Sequence, residues 1–287
     1  MTARAWYCIH LPLPAELHDL LIGQLADLGF SGFEQQSDSL ECYIRTNRWT
    51  PRRVRQFETR LDRFRKEFPA APQRYRVQRI RERNWNKQWE SRAGIVRPTD
   101  RFVIQPSWRR LSARDHRKLV LHIDPKMSFG TGHHETTQLS LQLLQDTMFD
   151  GASVLDFGTG TGVLAIAAAR LNARFVDAVD NDEWSISNAT ENVRRNDVQR
   201  VVRVLHGSVS AVPRRRYDIV VANVDAPTIG RFLPSLCRRV TRRGTLILSG
   251  LLESDLAAVR RRARRCGFVL AEYVRRNEWI AALFEPR

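Results

Sequence analysis

At 287 residues the chain has room for a catalytic domain and a smaller one, and its apolar residues, 43% of the total, never run long enough to span a bilayer. Its formal net charge is +16, yet only four of the 47 basic residues are lysines: Lys66, Lys87, Lys118 and Lys126. Met1 to His10 lacks a signal-peptide pattern. Cys8, Cys42, Cys237 and Cys266 are dispersed, with no C-x-x-C, so neither a disulfide scaffold nor a zinc site is indicated and a cytoplasmic protein is expected. The arginines cluster at Arg52-Arg53-x-Arg55, Arg74 to Arg83, Arg214-Arg215-Arg216 and Arg260 to Arg265. Solvated helix faces and genomic base composition account for such a bias by default; proximity to ribosomal RNA would favour the same charge.

Taken in chain order, the first part reads β-α-β-β-α-β. Trp6 to Leu11 alternates as a strand does. Pro14 opens an amphipathic helix through Leu17, Leu20, Leu21, Leu25 and Leu28, which Gly29 stops. Phe30 to Gln35 and Leu40 to Arg45 are strands about a polar turn. Pro51 starts a helix with Val54, Phe57, Leu61, Phe64 and Phe68 on one face, and Tyr75 to Ile80 supplies the last strand. This order predicts a ferredoxin-like α+β domain over residues 1–83. A linker over 84–110 follows, in which Trp85 and Trp89 stand one helical turn apart, suited to apolar packing.

Residues 111–287 form the third segment. A short strand, Val120 to Ile123, leads into Asp124-Pro125, and a glycine-containing loop then precedes an amphipathic helix for which Thr136 or Thr137 is placed as N-cap. Strands follow at Ser153–Asp156, Phe175–Val179, Val201–Leu205, Ile219–Ala222, Thr245–Ser249, Phe268–Val274 and Trp279–Phe284. Helices begin between them near Val163, Glu183, Pro227 and Ser254. Such alternation predicts a parallel sheet covered on both faces, with ligands at the carboxyl ends of its strands. Only Arg275 to Glu278 separates the last two strands, too few residues for a crossover, so they must form an antiparallel hairpin.

The chemistry concentrates in Val154-Leu-Asp-Phe-Gly-Thr-Gly-Thr-Gly162, a strand ending in Asp156 and a turn whose glycines let the backbone approach a ligand. Phe175 to Val179 then ends on Asp180, at the distance where an acid reaches a ribose in nucleotide-binding βαβ units. The third glycine comes one place too early for G-x-G-x-x-G, and no G-K-[S/T] follows. An aspartate beside the turn repels phosphate and suits a cation. His133, His134 and Glu135 are adjacent and do not converge on one ion, and H-E-x-x-H is absent, so no metal is expected.

The glycine turn resembles motif I of the class I S-adenosylmethionine-dependent methyltransferases, whose seven-stranded Rossmann-like sheet ends in an antiparallel strand. Asp124-Pro125 and Phe129-Gly-Thr-Gly-x-His134-x-Thr-Thr137 are similar to the loop of the methyltransferases that modify ribosomal protein L-eleven (L11), the PrmA family. Trp85-x-x-x-Trp89, Pro106-Ser-Trp108, Asn192 with Asn196, Ala222-Asn223, Leu248-Ser-Gly250 and Glu278-Trp279 fall in that family's order, and the N-terminal pattern matches its substrate-binding domain.

The resemblance implies a cytoplasmic, monomeric protein methyltransferase. It would carry methyl groups from S-adenosyl-L-methionine to amines, on lysines or the N-terminus, of the large-subunit protein L11, free or on the ribosome. A protein-lysine methyltransferase with another target, or an RNA methyltransferase, is the alternative. Phe129, Thr131 and Thr137 would border the cofactor beside Asp156, Gly158 and Gly160 would face its methionyl part, and Asp180 its ribose. Asn223 would stand at the methyl-transfer site. The chain departs from the family at Asp225, where an apolar residue is usual, at His133 and Glu135, and at Ser208, where many methyltransferases place an adenine-binding acid. A carboxylate at position 225 would stabilise an ammonium and hinder attack unless it points away or takes the proton.

Overall fold

A computed structural model of the chain describes residues 5–68, 71, 73–81, 94–115, 117–124 and 128–287, which divide into two units, Met1–Trp85 and Asn86–Arg287. Trp85 and Trp89 lie outside the described residues.

In the first unit strands β1 (Ala5–Pro12), β2 (Gly32–Gln35), β3 (Ser39–Arg45) and β4 (Arg76–Arg81) form an antiparallel sheet in the order β2-β3-β1-β4. Helices α1 (His18–Leu25) and α2 (Pro51–Glu67) complete the ferredoxin-like pattern. Period-two alternation decides which side is core. Ile9 and Leu11 of β1 and Leu40, Cys42 and Ile44 of β3 pack with Leu21 and Leu25 of α1 and Phe57, Leu61 and Phe64 of α2. Thr50 caps α2 by accepting from the Arg53 amide, with Pro51 in the first turn, where its missing N–H is not needed. The intervening side chains lie on the other face of the sheet, where Glu41 gathers the Cys8 thiol (2.7 Å) and His10 Nδ1 (2.6 Å). Partial burial together with Glu41 pushes the Cys8 thiol up to about 12.

The second unit is built on seven strands: β7 (Ser153–Phe157), β8 (Phe175–Asp180), β9 (Val202–His206), β10 (Tyr217–Asn223), β11 (Val240–Leu252), β12 (Phe268–Arg276) and β13 (Trp279–Pro286). Their spatial order is β12-β13-β11-β10-β7-β8-β9, and β13 runs antiparallel to both its neighbours while β7 to β11 are parallel. This is the class I methyltransferase sheet, as the sequence pattern predicts. Helices α3 (Glu135–Thr147), α4 (Val163–Arg170) and α5 (Glu183–Arg195) cover one face, and α6 (Ala226–Cys237) and α7 (Leu256–Arg265) the other. Alternate residues of β10 divide accordingly: Ile219 and Val221 join the first core, Val220 and Ala222 the second. Asn223 therefore falls on the α3 side, where Thr137 meets it. The strand order reverses between β7 and β10, which opens a crevice at their carboxyl ends.

A two-stranded parallel sheet, β5 (Phe102–Gln105) with β6 (Leu119–His122), adds to the α3–α5 side. Phe102–Gln105 falls inside the 84–110 span expected to be linker, yet in the structure its Phe102 and Ile104 are core residues of the second unit. Arg97 pairs with buried Asp115 through two bonds of 2.8 and 2.7 Å, which fixes the start of this segment. Buried asparagines on and just after α5 then stitch β6 down. Asn196 accepts the His122 amide at 2.9 Å and donates to the His122 carbonyl at 2.8 Å, so one side chain replaces a missing strand partner. Asn192 accepts the Asp124 amide at 3.1 Å and donates to the Thr161 carbonyl at 2.9 Å.

Truncating Asn196 strands both backbone groups of His122. Asn196→Ala is expected to cost about 2–3 kcal/mol, read as a lower urea midpoint with an unchanged slope. A loss below about 0.5 kcal/mol, the size of an ordinary surface change, would show that β6 is held by other contacts.

Candidate active site

The crevice holds a cavity of about 810 Å3 whose walls include Phe129, Gly158, Gly160, Asp180 and Asn223. These five sequence-predicted residues meet at one site although they lie in four separate segments. Thr137 stands behind Asn223, buried, with its Oγ1 accepting from Asn223 Nδ2 at 3.5 Å. Thr131 turns its hydroxyl to His133 Nδ1 (3.3 Å), and neither Thr131 nor Asp156 reaches the cavity wall.

Asp156 is a support beneath the glycine turn. One carboxylate oxygen, Oδ2, accepts from Thr159 Oγ1 (2.6 Å) and from the Ala165 amide in the first turn of α4 (3.2 Å). The other oxygen is buried without a partner. Desolvation dominates, with Asp180 nearby adding to it, and the carboxyl is pushed up to about 7.

The turn itself is shaped by close approach. Gly160 has φ +56°, and a Cβ there would lie 2.3 Å from the Phe129 carbonyl oxygen. Gly158 has φ +75°, and its Cβ would meet Val224 Cγ1 at the same distance. Every amide of the turn is already committed. Gly158 and Thr159 donate to the Val179 carbonyl (2.8 and 3.1 Å), Gly160 to Asp180 Oδ2 (2.9 Å), Thr161 to the Phe129 carbonyl (2.9 Å) and Gly162 to the Thr159 carbonyl (2.9 Å). A phosphate cradle needs amides that point free at the ligand. None of these five is free, so the turn from Gly158 to Gly162 is not itself a phosphate cradle.

The loop ahead of α3 is fastened to the turn from the other side, since Thr161 Oγ1 donates to the Gly130 carbonyl at 2.6 Å. The N-cap of α3 is His134, not Thr136 or Thr137. Its Nδ1 accepts from the Thr136 amide (3.3 Å), and both threonines are buried inside the helix. The same imidazole stands edge-on between Phe129 (5.3 Å) and Trp279 (4.9 Å), and all three rings line the cavity. His133, His134 and Glu135 have different partners, Glu135 accepting from Asn277 Nδ2 at 3.2 Å. Among the described residues no group of three His, Cys, Asp or Glu side chains is arranged to hold a metal ion.

Two cavity residues offer unspent acceptor capacity. Asp180 has accepted one amide on each oxygen, from Gly160 and from Asp182 (3.0 Å), and retains lone pairs for a ligand's hydroxyls. Asn223 is buried, with its Oδ1 unpartnered. Asp225 also lines the cavity, but its Oδ1 accepts from the Thr228 amide at 2.7 Å and caps α6. Exposed Arg231 and partly buried Phe232, which packs on Phe157, complete this wall from the same helix and carry no sequence signal beyond helical spacing. Ser208 lies on the wall beside Gly207, just after β9.

Comparison with known proteins decides the family. The family model described as ribosomal protein L11 methyltransferase (PrmA) matches residues 34–286. The chain belongs to this family. A ribosomal protein L11 methyltransferase of Chlorobaculum parvum is 32% identical over 279 residues, 96% of this chain and 94% of that protein. One from Porphyromonas gingivalis is 34% identical over 271 residues, 94% and 91% of the two chains. Among solved structures, a ribosomal protein L11 methylase from Lactobacillus delbrueckii subsp. bulgaricus is 27% identical with a TM-score of 0.64, over 68% of this chain and all of that one.

The PrmA site carries a pH signature through Asp156. Its folded pKa, about 7, lies above the usual unfolded carboxylate value near 3.9. The stability it contributes is therefore full below pH ~4, drains away between there and pH ~7, and is gone above. Asp156→Asn removes the titration. In urea melts without ligand, the variant should gain on the wild type by up to roughly 3 kcal/mol between pH 5 and pH 8. A constant difference across that range would show that Asp156 is ionised throughout.

Proposed function

We propose that the chain methylates amines of ribosomal protein L11, on lysine side chains or the N-terminal α-amine, with S-adenosyl-L-methionine as methyl donor, in the cytoplasm. The observation that carries this reading is the unpartnered Oδ1 of Asn223, a residue on the wall of the same cavity as a glycine turn whose own amides are committed. A buried amide oxygen without a partner costs ~1–3 kcal/mol, a cost that a ligand's N–H can offset.

The donor fits the residues present. Gly158 and Gly160 leave room against the backbone, Asp180 retains acceptor sites for ribose hydroxyls, and the carboxylates of Asp180 and Asp225 suit a ligand with positive charge and no phosphate. When bound, S-adenosylmethionine supplies a methyl group already activated by a sulfonium, so the protein needs no covalent intermediate.

What the chain's own residues must do is align and dehydrate. Phe129, His134 and Trp279 form an aromatic edge that keeps water from the reacting atoms. The acceptor amine must be neutral, and entry into this partly apolar cavity beside a sulfonium lowers its pKa. Asn223 Oδ1 can then accept one amine N–H and aim the lone pair, with no full negative charge that would favour the ammonium. Thr137, as acceptor for Asn223 Nδ2, sets the orientation of that amide. We assign substrate capture to the N-terminal ferredoxin-like unit.

Intact-mass spectrometry of L11 after incubation with the enzyme and S-adenosylmethionine is expected to show whole methyl increments, with tandem spectra placing them on amines. Asn223→Ala should lower kcat about 10²-fold and leave the dissociation constant of S-adenosylhomocysteine within about threefold, a change under ~0.7 kcal/mol. Unchanged L11 masses, or label found only in RNA or in another protein, would reject the substrate. Equal loss of kcat and cofactor binding would make Asn223 a cofactor ligand alone.

A further inference from the structure

Beyond the methyl-transfer cavity the second unit carries two more recesses that continue it. The first, about 710 Å3, shares Ser208 and Phe232 with the active-site cavity. The second, about 470 Å3, shares Arg216 and Arg238 with the first. The three therefore make one track, from the mouth at Arg231 along α6 and past the start of β11. Its lining changes sign on the way. The catalytic end carries Asp180 and Asp225, whereas neither of the two outer recesses is lined by a carboxylate.

The arginines along this track are not all engaged in holding the fold. Arg215 pairs with buried Asp177 (3.0 Å), and Arg239 donates to the Val209, Val212 and Pro213 carbonyls. Arg214, Arg216 and Arg238 are exposed, and among the described residues no carboxylate partner is found for them. Arg238 reaches only Ser235 Oγ (3.0 Å), and Arg216 touches the Val240 carbonyl at 3.4 Å. Arg242 and Arg265 continue the series in the outermost recess. Like charges held this close repel one another in the free protein, and a polyanion relieves that repulsion.

We infer that this track binds the sugar-phosphate backbone of RNA, leading it up to the methyl-transfer cavity. Guanidinium groups and the hydroxyls of Ser208, Ser210 and Ser235 are phosphate ligands, and Phe232 is the single aromatic in the 710 Å3 recess. Such a wall reads charge and spacing, not base sequence. An acidic protein segment would meet the same charges, but planar guanidinium groups interleaved with hydroxyls match phosphate oxygens, and the polyglutamate arm of the test below separates the two. The inference rests on the proposed function, which places methyl transfer in the cavity that the track meets.

The test uses the full chain and a fluorescein-labelled 20-nucleotide single-stranded RNA, followed by anisotropy across a salt series. Arg214→Gln/Arg216→Gln/Arg238→Gln should weaken binding at least tenfold at moderate salt. It should also make the log–log salt slope shallower by about 2, since each phosphate contact on a single strand contributes ~0.7. Arg260→Gln/Arg264→Gln, exposed on α7 and off the face that carries Arg265, removes charge away from the track and should leave affinity within twofold. Arg242→Gln/Arg265→Gln should show an intermediate loss. Equal losses from the Arg242/Arg265 and Arg260/Arg264 pairs, no binding by the wild type, or displacement of the RNA by polyglutamate at equal charge would overturn the proposal. Methylation of free L11, measured in parallel, is expected to be unchanged in the track triple. Failure of the wild type to methylate L11 would count against the proposed function alone, because RNA binding is read separately.

Discussion

The contact on which the site depends is the approach of two loops with no side chain between them. The Phe129 carbonyl lies where a Cβ of residue 160 would be, and the same oxygen accepts the Thr161 amide. Gly130 and Thr161 repeat the arrangement one residue along, through the Thr161 hydroxyl. The glycine turn and the loop before α3 are thereby one rigid object. Asn192 ties it to α5 and to Asp124, so the lead-in strand, the turn and the second acidic strand are positioned together. Local backbone geometry at one glycine thus sets where Phe129, His134 and Asp180 stand around a common space.

That rigidity has a price in hydrogen-bonding capacity, and it defines the ligand class. A turn that spends all its amides on its own fold cannot neutralise a pyrophosphate, whatever its glycine count. The free acceptor capacity of the cavity then sits on side chains, Asp180 and Asn223, beside aromatic edges. The difference between G-x-G-x-G and G-x-G-x-x-G is then a matter of where the donors go. Here the third glycine directly precedes α4, and the Ala165 amide in the first turn of the helix goes to Asp156, not to a ligand.

The central parallel strands β7, β8 and β10 were legible because each is a mostly apolar, largely buried run that ends at a glycine or a polar residue; edge strand β9 is only partly buried. Antiparallel β13 was legible from the four residues before it. The strand limits were less so. The pattern begins β11 at Thr245, but the strand starts at Val240, which pairs with Tyr217 ahead of an irregularity that takes Thr241 to Gly244 out of register with β10. The N-cap of α3 misled because an imidazole rarely plays that part, and burial of Thr136 and Thr137 decided against them. In the site, residues at strand ends declared themselves: Asp180, Asn223 and the glycines. Thr137 and Asp156 have the right neighbourhood and the wrong depth, one row behind the wall, which sequence spacing does not encode. Arg231 and Phe232 were invisible because an amphipathic helix needs no special reason to carry either.

Asp225 shows how a departure from a family pattern can have a local cause with a chemical consequence. Helix α6 begins with Ala226-Pro227, and Asp at the preceding position is among the best N-caps, stabilising by ~1 kcal/mol relative to an apolar residue. The carboxylate holds the Thr228 amide and still lines the cavity. An incoming ammonium is attracted to it, whereas the sulfonium of the donor repels the same charge. In the proposed reaction the two fields would favour an acceptor that arrives protonated and loses its proton inside. With one Asp225 oxygen committed to the helix, the other is the nearest carboxylate to Asn223 in sequence. In the proposed reaction an apolar residue at this position would leave that proton to water, so the departure would alter the route of deprotonation without altering the alignment assigned to Asn223.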